Sequence, residues 1–240
     1  MQTTSIEPAS AARSAPRPRS TRRWLLLAFG LALVAGLLRL VTAPPATAGH
    51  AQRDFDPDRL GAQEQVLWEA YYFRQWPRLL LVLIQVTREQ FGLSWAQALY
   101  AAYLGTVAQV EWARHGAQGG TAEAWMRAFY AYVKEPTGGR YDPERAAALE
   151  VRWWAVHREA GHRTADSNAL EDAFADLYVE VYRAPDGAVR PAAAARARAV
   201  ALSDQWLDQA QPPDSPLLGQ IRDELVASYR ALKMAVAAAP

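Results

Sequence analysis

The sequence predicts an all-α protein: a multi-helix bundle of about eight helices, preceded by an N-terminal signal or anchor helix. Three observations lead there. A capping residue followed by a proline, a helix-start signal, recurs at Asp56-Pro57, Asp142-Pro143 and Ser215-Pro216. Apolar residues return at helical spacing, most clearly through Leu218, Ile221, Leu225, Tyr229, Leu232 and Val236. No segment combines strand alternation with a following hairpin signal.

Residues 1–23 form a basic tail, rich in Ser, Pro and Arg up to Thr21 and expected to be disordered. Residues 24–42 follow as a transmembrane anchor or a signal-peptide apolar region, and 43–55 as a linker. The tail carries Arg13, Arg17, Arg19, Arg22 and Arg23 against Glu7, whereas the far flank mixes Arg53 and Arg59 with Asp54, Asp56 and Asp58. The positive-inside rule therefore keeps the tail in the cytoplasm and puts everything after about residue 45 outside. Trp24 to Thr42 is near spanning length. Alternatively the uninterrupted apolar run stops at Leu38, Pro44-Pro45 breaks the helix, and Ala46-Thr47-Ala48 offers a cleavage site after Ala48. The string Thr21-Arg22-Arg23-Trp24-Leu25-Leu26 resembles the core of a bacterial twin-arginine signal. That resemblance implies a passenger exported already folded, often with a cofactor.

The helical domain spans 56–240. Asp56 caps a first helix expected to run to about Trp76, and Pro77 starts a second whose Leu79 to Ile84 run reads as buried on all sides. Ser94 caps a third to about His115. Tyr100, Tyr103, Leu104, Val107 and Val110 surround most of that helix, which suggests a central position. After the Gly116–Gly120 loop, Thr121 caps Ala122 to Lys134. Asp142-Pro143 opens a helix to about Glu159, and Asp166 or Ser167 caps one through Tyr182. Pro185-Asp186-Gly187 reads as a turn, Pro191 starts an alanine-rich helix to about Gln209, and Ser215-Pro216 opens the last.

Composition removes several classes of function. The 240 residues carry a net charge of +1, which provides no basic face for nucleic acid. There is no Cys, so disulfides, thiol nucleophiles and thiolate metal sites are excluded. Phosphate-binding, dinucleotide-binding and zinc-protease motifs and the nucleophile elbow are all missing.

Any chemistry must then come from carboxylates, tyrosines and the four histidines, His50, His115, His157 and His162. At about 100° per residue, Glu150 and His157 lie roughly 20° apart on one helix face, beside Ala146, Trp153 and Trp154. Glu69 centres a similar stripe with Ala62, Val66, Tyr72, Phe73 and Trp76, while Glu64 and Arg74 point away. Glu111 shares a face with Tyr100, Leu104 and His115. Glu69, Glu111, Glu150 and His157 are thus the candidate buried polar or metal site. Their donor set is similar to that of the carboxylate-bridged di-iron bundle proteins, which implies iron or another transition metal. Those proteins use two E-x-x-H pairs, however, and this chain has one, Glu159 to His162, spanning a helix-ending glycine. The other reading makes these residues an internal network satisfied by Arg, Tyr or Trp, with no cofactor. Asp172, Asp176 and Glu180 read as a solvated face balanced by Arg183.

Two functions are carried forward. One is a membrane-anchored or exported binding or interaction module, without catalytic activity, for a protein partner or an apolar ligand. The alternative is a helical-bundle metal- or cofactor-binding oxidoreductase.

Overall fold

A computed structural model of the chain describes Trp24 and residues 28–36, 54–116, 120–159 and 167–238. The chain divides into two compact units, Met1–Leu40 and Val41–Pro240. In the first, residues 28–36 are helical, with Phe29, Leu31, Leu33 and Val34 exposed. No helix among the described residues is long and apolar enough to cross a membrane. Most of the segment expected to span one, and the whole Ala46-Thr47-Ala48 site, lie outside the described residues.

The second unit is all-helical over its described residues. Its helices are α1 (Pro57–Tyr72), α2 (Trp76–Phe91), α3 (Trp95–His115), α4 (Ala122–Thr137), α5 (Pro143–Glu159), α6 (Ser167–Tyr182), α7 (Asp186–Asp208) and α8 (Pro216–Ala237). The cap-plus-proline starts form as the sequence requires. Asp56 accepts from the Asp58 and Arg59 amides at 3.0 and 3.2 Å, Asp142 from the Glu144 amide at 2.9 Å, and Ser215 from the Leu217 amide at 3.3 Å. Ser94 and Gln97 form a reciprocal capping box.

Several boundaries differ from expectation for local reasons. The first helix stops at Tyr72 because Arg74 takes a left-handed conformation, φ 54°, and the Gln75 amide returns to the Ala70 carbonyl at 2.8 Å. No glycine signals this stop. Helix α4 continues past Lys134 to Thr137, with Pro136 in its last turn, and Gly138 at φ 61° ends it. Thr121 occupies the N-cap of that helix as expected, but its hydroxyl makes no capping bond and donates to Glu111 instead, at 3.1 Å. Pro185-Asp186-Gly187 is not a free turn, because Pro185 is the N-cap of α7 and Asp186 lies in its first turn, where an acid favours the helix dipole. The capping role of Asp166 or Ser167 lies outside what is described.

Each helix packs on its predecessor and successor, and α8 closes back onto α1. Short connections make consecutive helices antiparallel, and with eight of them the last also opposes the first. The result is a closed ring of helices. A ring has no central member, which corrects the expected position of α3: it packs mainly on α2 and α4, burying Ala98, Ala101, Ala102, Leu104, Ala108 and Trp112. Its outer face exposes Trp95, Leu99, Tyr100 and Tyr103. The same geometry leaves Leu81 of α2 62% exposed, although the run around it reads as buried on every side.

The closing seam between α8 and α1 depends on Gly61. A methyl group there would sit 2.6 Å from the Val226 backbone nitrogen and 2.7 Å from its Cα, whereas Gly219 of α8 has open space around it. Gly61→Ala should therefore cost about 1–3 kcal/mol by overpacking, overriding the roughly 1 kcal/mol that alanine gains from helix propensity. Gly219→Ala should stabilise by about 0.5–1 kcal/mol. Urea unfolding of the two variants checks this; equal, favourable effects would mean that α1 and α8 do not approach so closely.

Candidate functional site

The ring encloses a cavity of about 440 Å³, and all eight helices contribute to its wall. Its lining is largely aromatic and aliphatic, including Trp68, Trp76, Trp112, Trp153, Trp154 and Phe129. Rings pack edge-on or tilted along it: Trp112 and Trp154 centroids are 5.6 Å apart, and Trp153 lies 4.9 Å from Phe174.

Polar groups enter this wall at three places. The first is an ion pair between Glu64 of α1 and Arg196 of α7, both with little side-chain exposure. Arg196 contacts both carboxylate oxygens, with Nη1 3.0 Å from Oε2, and donates to the Tyr178 hydroxyl at 3.3 Å. Its guanidinium also lies 5.2 Å from the Phe174 ring and 5.9 Å from those of Trp68 and Tyr229. Burial alone would lower the Arg196 pKa, but Glu64 and the neighbouring tyrosines hold it well above its ordinary value, so the charge is fixed.

The second is Glu150 of α5. The Tyr130 hydroxyl donates to its Oε2 at 2.8 Å and the Trp153 indole to its Oε1 at 3.0 Å. Burial raises the Glu150 pKa above the usual carboxylate range, against the opposing pull of those two donors and of Arg196. Part of its surface remains accessible, and the carboxylate contributes to the cavity wall. The third is His157, further along the same face of α5, whose Nε2 lies 2.7 Å from Asp204 Oδ1 of α7. Tyr130, Tyr178, Tyr182 and Tyr229 are all pushed upward by burial, so at neutral pH their phenols are protonated hydrogen-bonding groups.

The four residues singled out from the sequence separate into two groups. Glu150 and His157 both line the cavity. Glu69 instead pairs with Arg78 at 3.0 Å and Gln65 at 3.4 Å, and Glu111 with Thr121 and, at 3.9 Å, His115; neither contributes to the cavity wall. On α1 it is Glu64 that is buried, together with Leu60, Gly61, Leu67 and Ala70. The stripe centred on Glu69 includes Phe73 and Trp76, which lie beyond the end of α1, and this rotates the inferred face. Among the described residues no three His, Asp or Glu side chains come together as a metal site.

Sequence reasoning missed Glu64, Arg196 and Asp204. Arg196 had a usable signal: Ala192, Ala193, Ala199 and Val200 surround it at helical spacing, so a charge on that apolar face needed a partner. Glu180 also departs from expectation, since Asp172 and Asp176 are exposed but Glu180 is buried, binding Arg145, Arg183 and the Asp142 amide.

No family model, no curated protein and no solved structure matches the chain.

Because its folded-state pKa is raised, Glu150 contributes favourably to stability below the ordinary carboxylate range, and that contribution is lost as pH rises toward the raised value. Stability of the wild type minus that of Glu150→Gln should therefore fall as pH climbs from about 4 toward neutrality, measured by urea unfolding at each pH. Parallel pH profiles of the two proteins would show that the carboxylate is not desolvated.

Proposed function

We propose that this chain is a binding module whose ring holds a predominantly apolar small molecule, and that it carries out no chemistry of its own. The observation that carries this reading is the cavity: about 440 Å³, walled by aromatic and aliphatic side chains, with a few placed polar groups. Small-molecule sites have this size, roughly 300–1,000 Å³, and this mixture of apolar wall and sparse polar orienting groups. Indole and phenyl faces supply contact area, while Glu150, His157 and the Glu64–Arg196 pair supply direction. The metal-dependent alternative has less support, because only two of its four residues reach the cavity.

Binding of the neutral dye Nile red, followed by fluorescence, tests the reading. The wild type should saturate at one dye per chain. Ala113→Trp, which fills the cavity from α3, should abolish the signal while leaving the melting temperature within a few degrees. Retained binding in that variant would place the dye elsewhere, such as the exposed aromatic face of α3, and overturn the assignment.

The proposal extends to address. The arginines before Trp24 and the apolar run after it support a helical unit held at, or released from, the outer side of a membrane. Cell fractionation of a C-terminally tagged chain should find the tag outside the cytoplasm, membrane-bound if anchored and free if cleaved. A tag soluble in the cytoplasm would sink this part of the reading.

A further inference from the structure

Glu150 is where the cavity is electrostatically incomplete. Glu64 has a charged partner in Arg196. Away from the cavity, the buried Glu180 has Arg145 and Arg183. The hydrogen bonds that Glu150 receives among the described residues come from neutral donors, the Tyr130 hydroxyl and the Trp153 indole, and it forms no ion pair there. Arg196 is close enough to act on it, but its guanidinium is committed to Glu64 and Tyr178. A desolvated carboxylate with hydrogen bonds but no counter-charge is costly, and a cation brought in by a ligand would relieve that cost.

The surroundings favour such a cation. Trp112, Trp153 and Trp154 line the same cavity, and indole faces attract positive charge as well as apolar surface. We propose that the cavity selects a hydrophobic amine, its ammonium placed against Glu150 and its apolar body against these three tryptophans. This rests on the reading of the cavity as a binding site and names its ligand class. An anionic ligand would face the uncompensated Glu150, and an alcohol would gain only a neutral hydrogen bond. Arg74 and Arg158 are exposed members of the wall, with the Arg158 guanidinium 4.9 Å from the Trp112 ring centre. They disfavour a ligand with several positive charges, so a single ammonium is specified.

Calorimetric titration of the full chain at pH 7 with 2-phenylethylamine, 2-phenylethanol and 3-phenylpropionate tests this, since the probes share a body and differ in the head. The amine should bind at least tenfold more tightly than the alcohol, and the carboxylate more weakly than either. In Glu150→Gln the amine should fall to the affinity of the alcohol, whose own affinity stays unchanged. Ala113→Trp should remove amine binding altogether. Equal amine and alcohol affinities would overturn the amine inference while leaving an apolar binding site in place. Tightest binding of the carboxylate would also overturn it and transfer the selectivity to Arg74 and Arg158. Amine binding that survives Ala113→Trp lies outside the cavity and overturns it too. If none of the three probes binds, the amine inference falls, and the binding-site reading stands or falls with the Nile red titration. The wild-type ranking decides the matter even if Glu150→Gln fails to fold.

Discussion

The ion pair between Glu64 and Arg196 joins residues 132 apart in sequence and ties α1 to α7 at the cavity wall. Two charges with this little exposure are costly to desolvate, and removing one would leave the other stranded at about 3–5 kcal/mol. Here the cost is offset by bidentate hydrogen bonding, by the Tyr178 hydroxyl and by aromatic rings around the guanidinium. A pair of well-fitted apolar residues could match its contribution to stability. What apolar residues could not supply is direction, because only one rotation of α1 and one of α7 let the groups meet.

Closure also explains why a cavity exists. In a bundle built around a central helix, the innermost side chains fill the axis. In a ring, each helix has two main neighbours and spends its small residues on those seams, as Gly61 does against Val226 and the alanines of α3 do against α2 and α4. Many of the large rings are left facing the cavity, as Trp112 and Trp153 do, or the outside, as Trp95 and Tyr103 do. Those facing the axis brace one another tilted or edge-on, which holds the walls apart without filling the space between them.

The chemistry of the proposed site follows from this arrangement. Aromatic walls give contact area with little loss of side-chain freedom, since each ring has only two torsions to fix. The polar groups in the wall are held in place by partners on other helices, Glu150 by Tyr130 of α4 and His157 by Asp204 of α7. A ligand therefore meets groups already oriented, and the ordering cost was met during folding.

The sequence by itself determined the helical class, the starts of most helices and the buried stripe of α8, because caps, prolines and apolar spacing act within a few residues of one another. It also placed Glu150 and His157 on one face of α5, since seven residues make almost two whole turns. The partners of those residues were decided by tertiary structure alone. Which face of α1 turns inward, burying Glu64 and leaving Glu69 to meet Arg78, was decided by packing; the sequence stripe misplaced it by running past a stop set by a left-handed arginine that carries no compositional signal. Likewise, α3 is apolar almost all round, a pattern that suits a central helix equally well. Whether its outer aromatic face is covered depends on which helices lie beside it, and ring closure leaves that face exposed because local periodicity specifies a helix's buried stripe but not the number of its neighbours.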